Sequence, residues 1–238
     1  MSELIEISTR DVMPAEKSVM LLQGIPSSRR TSENVKQLFL LARSMLGKFV
    51  QPVGIMKDIP QKTFHDVYKG QSFNAENTPV PEIARHADGL ALFAVTLGRG
   101  VHDKINELFE SKELALASML DSFASAGVEK AADIVETRFL ESLTARGIVG
   151  KGTVVMRYSP GYCGWHVSGQ GKLFEYLKPS RIGITLRDSF LMEPLKSVSG
   201  VLIAGKKEIH VFEDNYPFCS ECETHSCQER IQALLGNT

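Results

Sequence analysis

Three of the four cysteines in the chain lie close together near its C-terminal end. Cys219, Cys222 and Cys227 have the spacing C-x₂-C-x₄-C within nine residues. Two cysteines three positions apart in a turn can direct both sulfurs at one metal ion, and a third nearby can bind the same ion. Thiolates are soft ligands that favour zinc or an iron–sulfur cluster over hard cations. The spacing predicts a metal-binding tail over residues 214–238 and leaves the choice of metal open.

A closed tetrahedral metal site needs a fourth ligand. His225 lies within the same segment, and Cys163 is the remaining cysteine of the chain. As a fourth ligand, Cys163 would bring the tail over its own loop. The alternatives are a reduced, solvated tail and a small buried thiol at Cys163, the usual environment of an unpaired cysteine.

The segment around Cys163 also has an unusual composition. A short β-branched run at 152–156 is followed by SPGYCGWH at 159–166, which contains the only tryptophan, and then by a helical pattern up to Leu177. Proline fixes φ and glycine adopts conformations that other residues avoid, so the chain must turn here. A strand, a bent loop and a helix form a rigid base for a binding site. The alternative is a tight turn in which Trp165 anchors the loop and His166 packs against it.

This segment resembles a known family. RYSPGY at 157–162 is similar to the Arg-x-x-Pro-Gly-Tyr signature of the reactivation domain of cobalamin-dependent methionine synthase. ITLRDSFLMEP at 184–194, followed by SVSG at 197–200, is similar to a second signature of that domain, in the same order and at a similar distance. The resemblance covers about residues 118–205. The chain differs from the family pattern at Lys151, at Asp188, at Leu202 and in the sequence CGWH at 163–166.

The resemblance implies a fold, a ligand and a partner. It implies S-adenosylmethionine bound by Arg157, Ser159, Gly161 and Tyr162, with the arginine available to pair the ligand carboxylate. The cobalamin would be held by a partner, either a corrinoid protein or cobalamin-dependent methionine synthase, and the complex would support reductive methylation of cob(II)alamin. The implied fold is α+β, with a mixed, largely antiparallel twisted sheet covered by helices. The alternative is a non-catalytic corrinoid-protein partner that bears zinc or an iron–sulfur cluster and does not bind S-adenosylmethionine.

Hydrophobic periodicity predicts the elements that position this loop. A helix after Ser32, with Phe39, Ala42 and Leu46 inward, is predicted to end at Gly47. LALFAVTL at 90–97 predicts a strand buried on both faces. Pro52 argues against a central position for the strand that follows the first helix. Two helices are predicted to meet near Gly127, and their acidic residues are predicted to be mostly solvated. A hairpin is predicted from 201–204 and 208–212.

Composition limits the remaining possibilities. The chain has 238 residues, 43% of them hydrophobic and 23% charged, which is typical of a globular protein. With a net charge of −1 it lacks the basic surface expected of a protein that binds nucleic acid or an anionic membrane. No apolar run is long enough to span a bilayer, and the polar N-terminus does not resemble a signal peptide. We expect a cytoplasmic protein with one domain over residues 1–238, of which 214–238 form the tail.

Overall fold

The computed structural model describes residues 2–26 and 31–211. In these ranges the strands are β1 (Glu3–Glu6), β2 (Val53–Asp58), β3 (Gly89–Thr96), β4 (Thr153–Tyr158), β5 (Thr185–Leu186), β6 (Met192–Glu193) and β7 (Ser197–Lys206). The α-helices are α1 (Glu16–Leu22), α2 (Glu33–Phe49), α3 (Gln61–Lys69), α4 (Pro79–Arg85), α5 (Arg99–Glu110), α6 (Leu114–Ala145) and α7 (Gly169–Leu177). Short 3₁₀ turns follow at Pro179–Ile182 and Lys207–His210.

Five strands form the main sheet in the order β1-β2-β3-β7-β4, while β5 and β6 form a separate hairpin. All four pairings in the main sheet are antiparallel. The predicted α+β class is therefore confirmed, with an antiparallel rather than a mixed sheet. The expected buried strand is β3, which lies in the centre of the sheet.

Each face of the sheet has its own hydrophobic core. Alternate residues of a strand point to opposite faces, and in β7 Leu202 packs on one side while Val201 and Ile203 pack on the other. The first face carries α1, α2, α5 and α6, and the second carries α3, α4 and α7. The predicted first helix is α2, where the Ser32 hydroxyl accepts a hydrogen bond from the Val35 N–H at 3.4 Å. This helix continues two residues beyond Gly47, to Phe49.

The predicted break near Gly127 is wrong, because α6 is one continuous helix of 32 residues. Gly127 is buried inside it, and a Cβ there would lie 3.1 Å from the Val12 carbonyl oxygen and 3.3 Å from Leu97 Cδ1. The glycine therefore allows a close approach of the N-terminal segment and does not end the helix. The long helix places residues from both of the predicted helices along one continuous surface.

Two predictions about strands also fail. The strand β2 lies inside the sheet, between β1 and β3, because Pro52 precedes its first hydrogen-bonded residue and leaves the ladder intact. The predicted hairpin at 201–212 does not form. Residues 201–206 instead belong to the ten-residue strand β7, which is paired on both sides by β3 and β4, and Lys207–His210 forms a 3₁₀ turn.

His210, at the end of this turn, should make the stability of the protein depend on pH. His210 is fully buried, its Nδ1 lies 3.0 Å from the Tyr158 hydroxyl, and burial lowers its pKa from 6.5 to about 4 against a smaller opposing effect of the Val154 backbone. The unfolded chain therefore binds a proton that the folded chain does not, between these two values. We expect stability to fall as the pH falls through this window, by about 3 kcal/mol in total.

Urea unfolding of the wild type and His210→Gln at pH 7.5 and pH 5 measures this contribution. The glutamine variant should lose less stability between the two conditions than the wild type. His65→Gln, on the exposed surface of α3, is the control and should behave like the wild type. Equal pH dependence in all three proteins would refute the assignment to His210.

Candidate functional site

A crevice lies at the edge of the sheet, where β4 ends and the neighbouring strand β7 extends four residues further. The pairing of β4 with β7 stops at Tyr158 and Val201, so Ser197–Gly200 have no partner on that side. The chain turns away from the sheet in the segment 159–168, here called the site loop, before α7 begins. The resulting cavity has a volume of about 410 Å³. Its walls are the site loop, the start of α7, the start of β7 and the β5–β6 hairpin.

All four residues that the sequence predicts for ligand binding line this cavity. Arg157, Ser159, Gly161 and Tyr162 do so together with Cys163. The second motif lies opposite, where Phe190, Leu191 and Met192 form an apolar wall and Ser197–Ser199 form the floor. The structure therefore brings both motifs to one site, although their ligand-binding role remains a prediction.

The site loop has a defined shape that depends on glycine. Gly161 has a φ of +97°, a value that L side chains rarely adopt, and no atom lies within 4 Å of the position of a Cβ. Its N–H donates to the Trp165 carbonyl at 2.7 Å, and the Trp165 N–H donates to the Tyr162 carbonyl at 2.9 Å. Two hydrogen bonds across a short loop hold its backbone, so Tyr162 is presented from a fixed base.

Trp165 anchors the loop rather than lining the cavity. Its side chain is 1% exposed, and its ring lies 6.2 Å from that of Phe64 and 5.4 Å from that of Tyr68. Burying an aromatic ring of this size stabilises the fold by about 2 kcal/mol or more. His166 Nδ1 lies 3.0 Å from the Ser168 hydroxyl. His166 thus packs within the loop, as the alternative interpretation of the sequence predicted.

Arg157 lies at one end of the cavity and binds three carboxylates of α6. Its guanidinium lies 2.7 Å from Glu129, 2.8 Å from Asp133 and 2.8 Å from Glu136. Its side chain is only 5% exposed. Burial by itself would lower the pKa of Arg157, but the charges of Glu136, Asp133 and Glu129 outweigh that effect and hold the pKa above its ordinary value. This arginine and its three partners are called the acidic cluster below.

The sequence analysis missed the acidic cluster. It predicted these carboxylates to be mostly solvated, but positions 129, 133 and 136 follow i, i+4, i+7 spacing and therefore share one face of α6. That spacing was the available signal. The cluster holds three negative charges and one positive charge, and of its four members Arg157 and Glu129 line the cavity. The predicted pairing of Arg157 with a ligand carboxylate remains a prediction, and an entering carboxylate would have to compete with partners already in place.

A buried amide lies at the other end of the cavity. Gln170, the second residue of α7, is 5% exposed and accepts a hydrogen bond from the Ser199 hydroxyl at 2.7 Å. The sequence analysis did not single out Gln170. Ser199 belongs to the second motif, so the partnership links the two motifs through side chains.

Two of the departures from the family pattern, Leu202 and Lys151, lie outside the cavity wall, whereas Cys163 lies in it. Leu202 is fully buried on the α6 face of β7, opposite Arg157 in the strand register. Lys151 is exposed in the turn before β4. Neither residue is among those that line the cavity.

The predicted metal site falls mostly outside the described residues. Cys219, Cys222, Cys227 and His225 lie beyond residue 211, so the tail remains a prediction, as does the domain boundary at 214. Cys163 lines the cavity. Within residues 2–26 and 31–211, no group of three or more histidine, cysteine or acidic side chains is arranged to hold a metal ion.

The fold and the crevice define an α+β domain with a cavity at the edge of an antiparallel sheet. The family model for the activation domain of vitamin B12-dependent methionine synthase matches residues 75–213, and the chain belongs to this family. The predicted family is thereby confirmed. No curated protein matches the sequence.

A solved structure supports the same fold. The crystal structure of the MetH reactivation domain bound to AdoHcy aligns with a TM-score of 0.60 over 98% of this chain and 89% of that chain. The sequence identity is 16%, so this likeness concerns the fold alone. In the part of the chain that the structure describes, no helix is long and apolar enough to cross a membrane.

Proposed function

We propose that this protein binds S-adenosylmethionine, or its product S-adenosylhomocysteine, in the crevice and supports the reductive methylation of a corrinoid held by a partner methyltransferase. One observation carries the proposal. The Arg157–Tyr162 loop and the second motif, far apart in sequence, line a single cavity of about 410 Å³. This volume lies in the range of sites for ligands of this size. Family membership and the AdoHcy-bound relative of the same fold support it.

The charge of the cavity suits this ligand. S-adenosylmethionine carries a positive sulfonium and a positive ammonium group, and the acidic cluster, net negative as a whole, reaches the cavity through the Glu129 carboxylate beside Arg157. Opposite charges in a partly buried site attract more strongly than in water. The apolar wall of Phe190, Leu191 and Met192 would cover uncharged parts of the ligand. The methyl group would come from the ligand, and the partner's corrinoid would accept it after a one-electron reduction.

The mouth of the crevice suits a partner. Tyr162 and Leu191, which line the cavity, expose 50% and 52% of their area, and Leu195, just after the β5–β6 hairpin, exposes 53%. Large exposed apolar side chains that cluster at a cavity mouth are typical of an interaction surface. We propose that the corrinoid protein docks here, so that its cofactor faces the bound ligand.

Calorimetric titration of the purified full-length protein with S-adenosylhomocysteine tests the proposal. We expect saturable binding, and we expect Tyr162→Ala to weaken it about fivefold, because an aromatic contact contributes about 1 kcal/mol beyond buried area. Phe109→Ala is the matched control, since Phe109 is an exposed aromatic residue on α5, outside the cavity. Absence of binding by the wild type would refute the proposed ligand.

A further inference from the structure

The amide of Gln170 faces Ser199 with its oxygen. The Ser199 hydroxyl, itself 1% exposed, donates to Gln170 Oε1 at 2.7 Å. In this orientation Nε2, which can only donate, lies on the side of the amide away from Ser199. Because Gln170 lines the cavity, its orientation decides what the cavity offers a ligand.

The Nε2 group has no acceptor in the described part of the chain. The contact with Ser199 is the hydrogen bond that the Gln170 side chain forms, and it uses Oε1. Nε2 is not one of the side-chain atoms that are both fully enclosed and without a partner. It therefore remains accessible from the cavity. A donor on a side chain that is 95% buried is costly to leave without an acceptor. A ligand atom in the cavity would supply that acceptor.

The cavity has two chemically different ends on opposite faces of the sheet. Arg157 lies opposite Leu202 in the register and therefore on the α6 face. Ser199 lies two residues before Val201, on the α7 face. The α6 end is charged, with Glu129 and Arg157 in its wall, whereas the α7 end offers the neutral amide of Gln170. A ligand with a cationic end and an uncharged heterocyclic end fits this arrangement in one direction.

We infer that Gln170 reads the base of the bound ligand and selects adenine. The inference rests on the proposed function. Nε2 would donate to a ring nitrogen of the base, and the second lone pair of Oε1 would accept from the 6-amino group. Glutamine and asparagine pair with adenine in this bidentate manner because donor and acceptor are adjacent on both partners. Hypoxanthine carries a 6-oxo group instead, which would face Oε1 without a hydrogen between them.

The test compares S-adenosylhomocysteine with its inosine analogue, S-inosylhomocysteine, by calorimetric titration of the full-length protein. We expect the wild type to bind the adenine compound about tenfold more tightly. Gln170→Leu should lose that preference by weakening the adenine compound and changing the inosine compound less than twofold. Gln61→Leu is the matched control, because the Gln61 amide bonds the carbonyls of Ala84 and Arg85, outside the cavity.

A second pair of variants separates recognition from packing. Gln170→Glu keeps the volume and the acceptors that face Ser199 and the 6-amino group but removes the donor to the ring nitrogen, so it should weaken the adenine compound and still prefer it over the inosine compound. The single variant Ser199→Ala should show a smaller preference for the adenine compound than the wild type. Adding Ser199→Ala to Gln170→Leu should have no further effect on the preference, because Ser199 acts only by orienting the amide. Thermal unfolding of each variant confirms that it is folded.

Three outcomes are decisive. Loss of the adenine preference in Gln170→Leu, with the preference kept in Gln170→Glu and the control unchanged, supports the inference. An unchanged preference in folded Gln170→Leu overturns it and leaves the proposed function intact. A wild type that does not bind S-adenosylhomocysteine overturns the proposed function, and the inference with it.

Discussion

Gly200→Ala is expected to weaken ligand binding more than tenfold and to destabilise the fold by about 1–3 kcal/mol. A Cβ at this position would collide with the Tyr158 carbonyl oxygen and would lie 2.9 Å from Ser159 Oγ. The first of these atoms belongs to the backbone at the end of β4, so it cannot move unless the strand end and the site loop move with it. The added methyl group therefore acts on the cavity wall itself. Urea unfolding and titration with S-adenosylhomocysteine measure the two effects.

Gly150→Ala provides the control for this substitution. Gly150 precedes β4, no atom lies within 4 Å of the position of its Cβ, and its φ lies outside the range that favours glycine. The same methyl group is added without a collision, so stability and affinity should remain close to the wild-type values. If Gly200→Ala binds as tightly as Gly150→Ala, the close approach of β7 to the site loop does not shape the site.

Local patterns in the sequence predicted the elements that form the base of the site. The periodicity of α2 and the uninterrupted apolar run of β3 each reflect burial of that element alone, and both predictions hold. The segment from Thr153 to Leu177 also forms the predicted strand, loop and helix. Proline and glycine determine such a turn through their own backbone preferences, so no distant residue is needed to predict it.

The predictions that failed concern contacts between distant segments. Gly127 has the usual signature of a helix end, but it is required because the Val12 carbonyl packs against it. The strand β7 continues through Gly205 because β4 pairs with it there, while β3 pairs with it as far as Ala204. Tertiary partners of this kind override local propensity, and they are not encoded within the segment itself.

The sequence predicted only part of the candidate site, and the rest was missed for the same reason. The resemblance supplied the loop residues, which are contiguous in sequence. The partners of Arg157 lie 21 to 28 residues before it, and the pair Gln170 and Ser199 is 29 residues apart. Only the folded sheet edge brings these side chains together, with the charged partners on one face and the amide on the other.

The acidic cluster supports the second large prediction, which concerns Arg157→Met. Methionine replaces most of the buried volume but removes the positive charge that three carboxylates share. Glu136 is 15% exposed and would keep its charge in a poorly solvated position. Removing one partner of a buried ion pair costs about 3 kcal/mol or more, while the more exposed Glu129 and Asp133 should add little. We expect a destabilisation of about 3 kcal/mol at pH 7.5, measured by urea unfolding.

Lys196→Met is the matched control for the lost ion pair. The Lys196 side chain is 16% exposed and pairs with a single carboxylate, that of Asp121, at 2.8 Å. Removing it leaves one half-exposed carboxylate, which water can solvate. The loss of stability should be clearly smaller than for Arg157→Met. Equal losses would show that the convergence of three carboxylates on Arg157 has no particular energetic consequence.

The pH dependence distinguishes lost charge from lost packing. In Arg157→Met the three carboxylates repel one another in the folded state, because the cation that lay among them is gone, and the unfolded chain does not have this repulsion. The folded variant then binds more protons than the unfolded variant as the pH falls, so acid stabilises the variant relative to the wild type. The deficit of about 3 kcal/mol should therefore shrink between pH 7.5 and pH 5. A deficit that is constant over this range would mean that Arg157 stabilises the site by packing, and that the net negative charge of the acidic cluster is not what positions a cationic ligand.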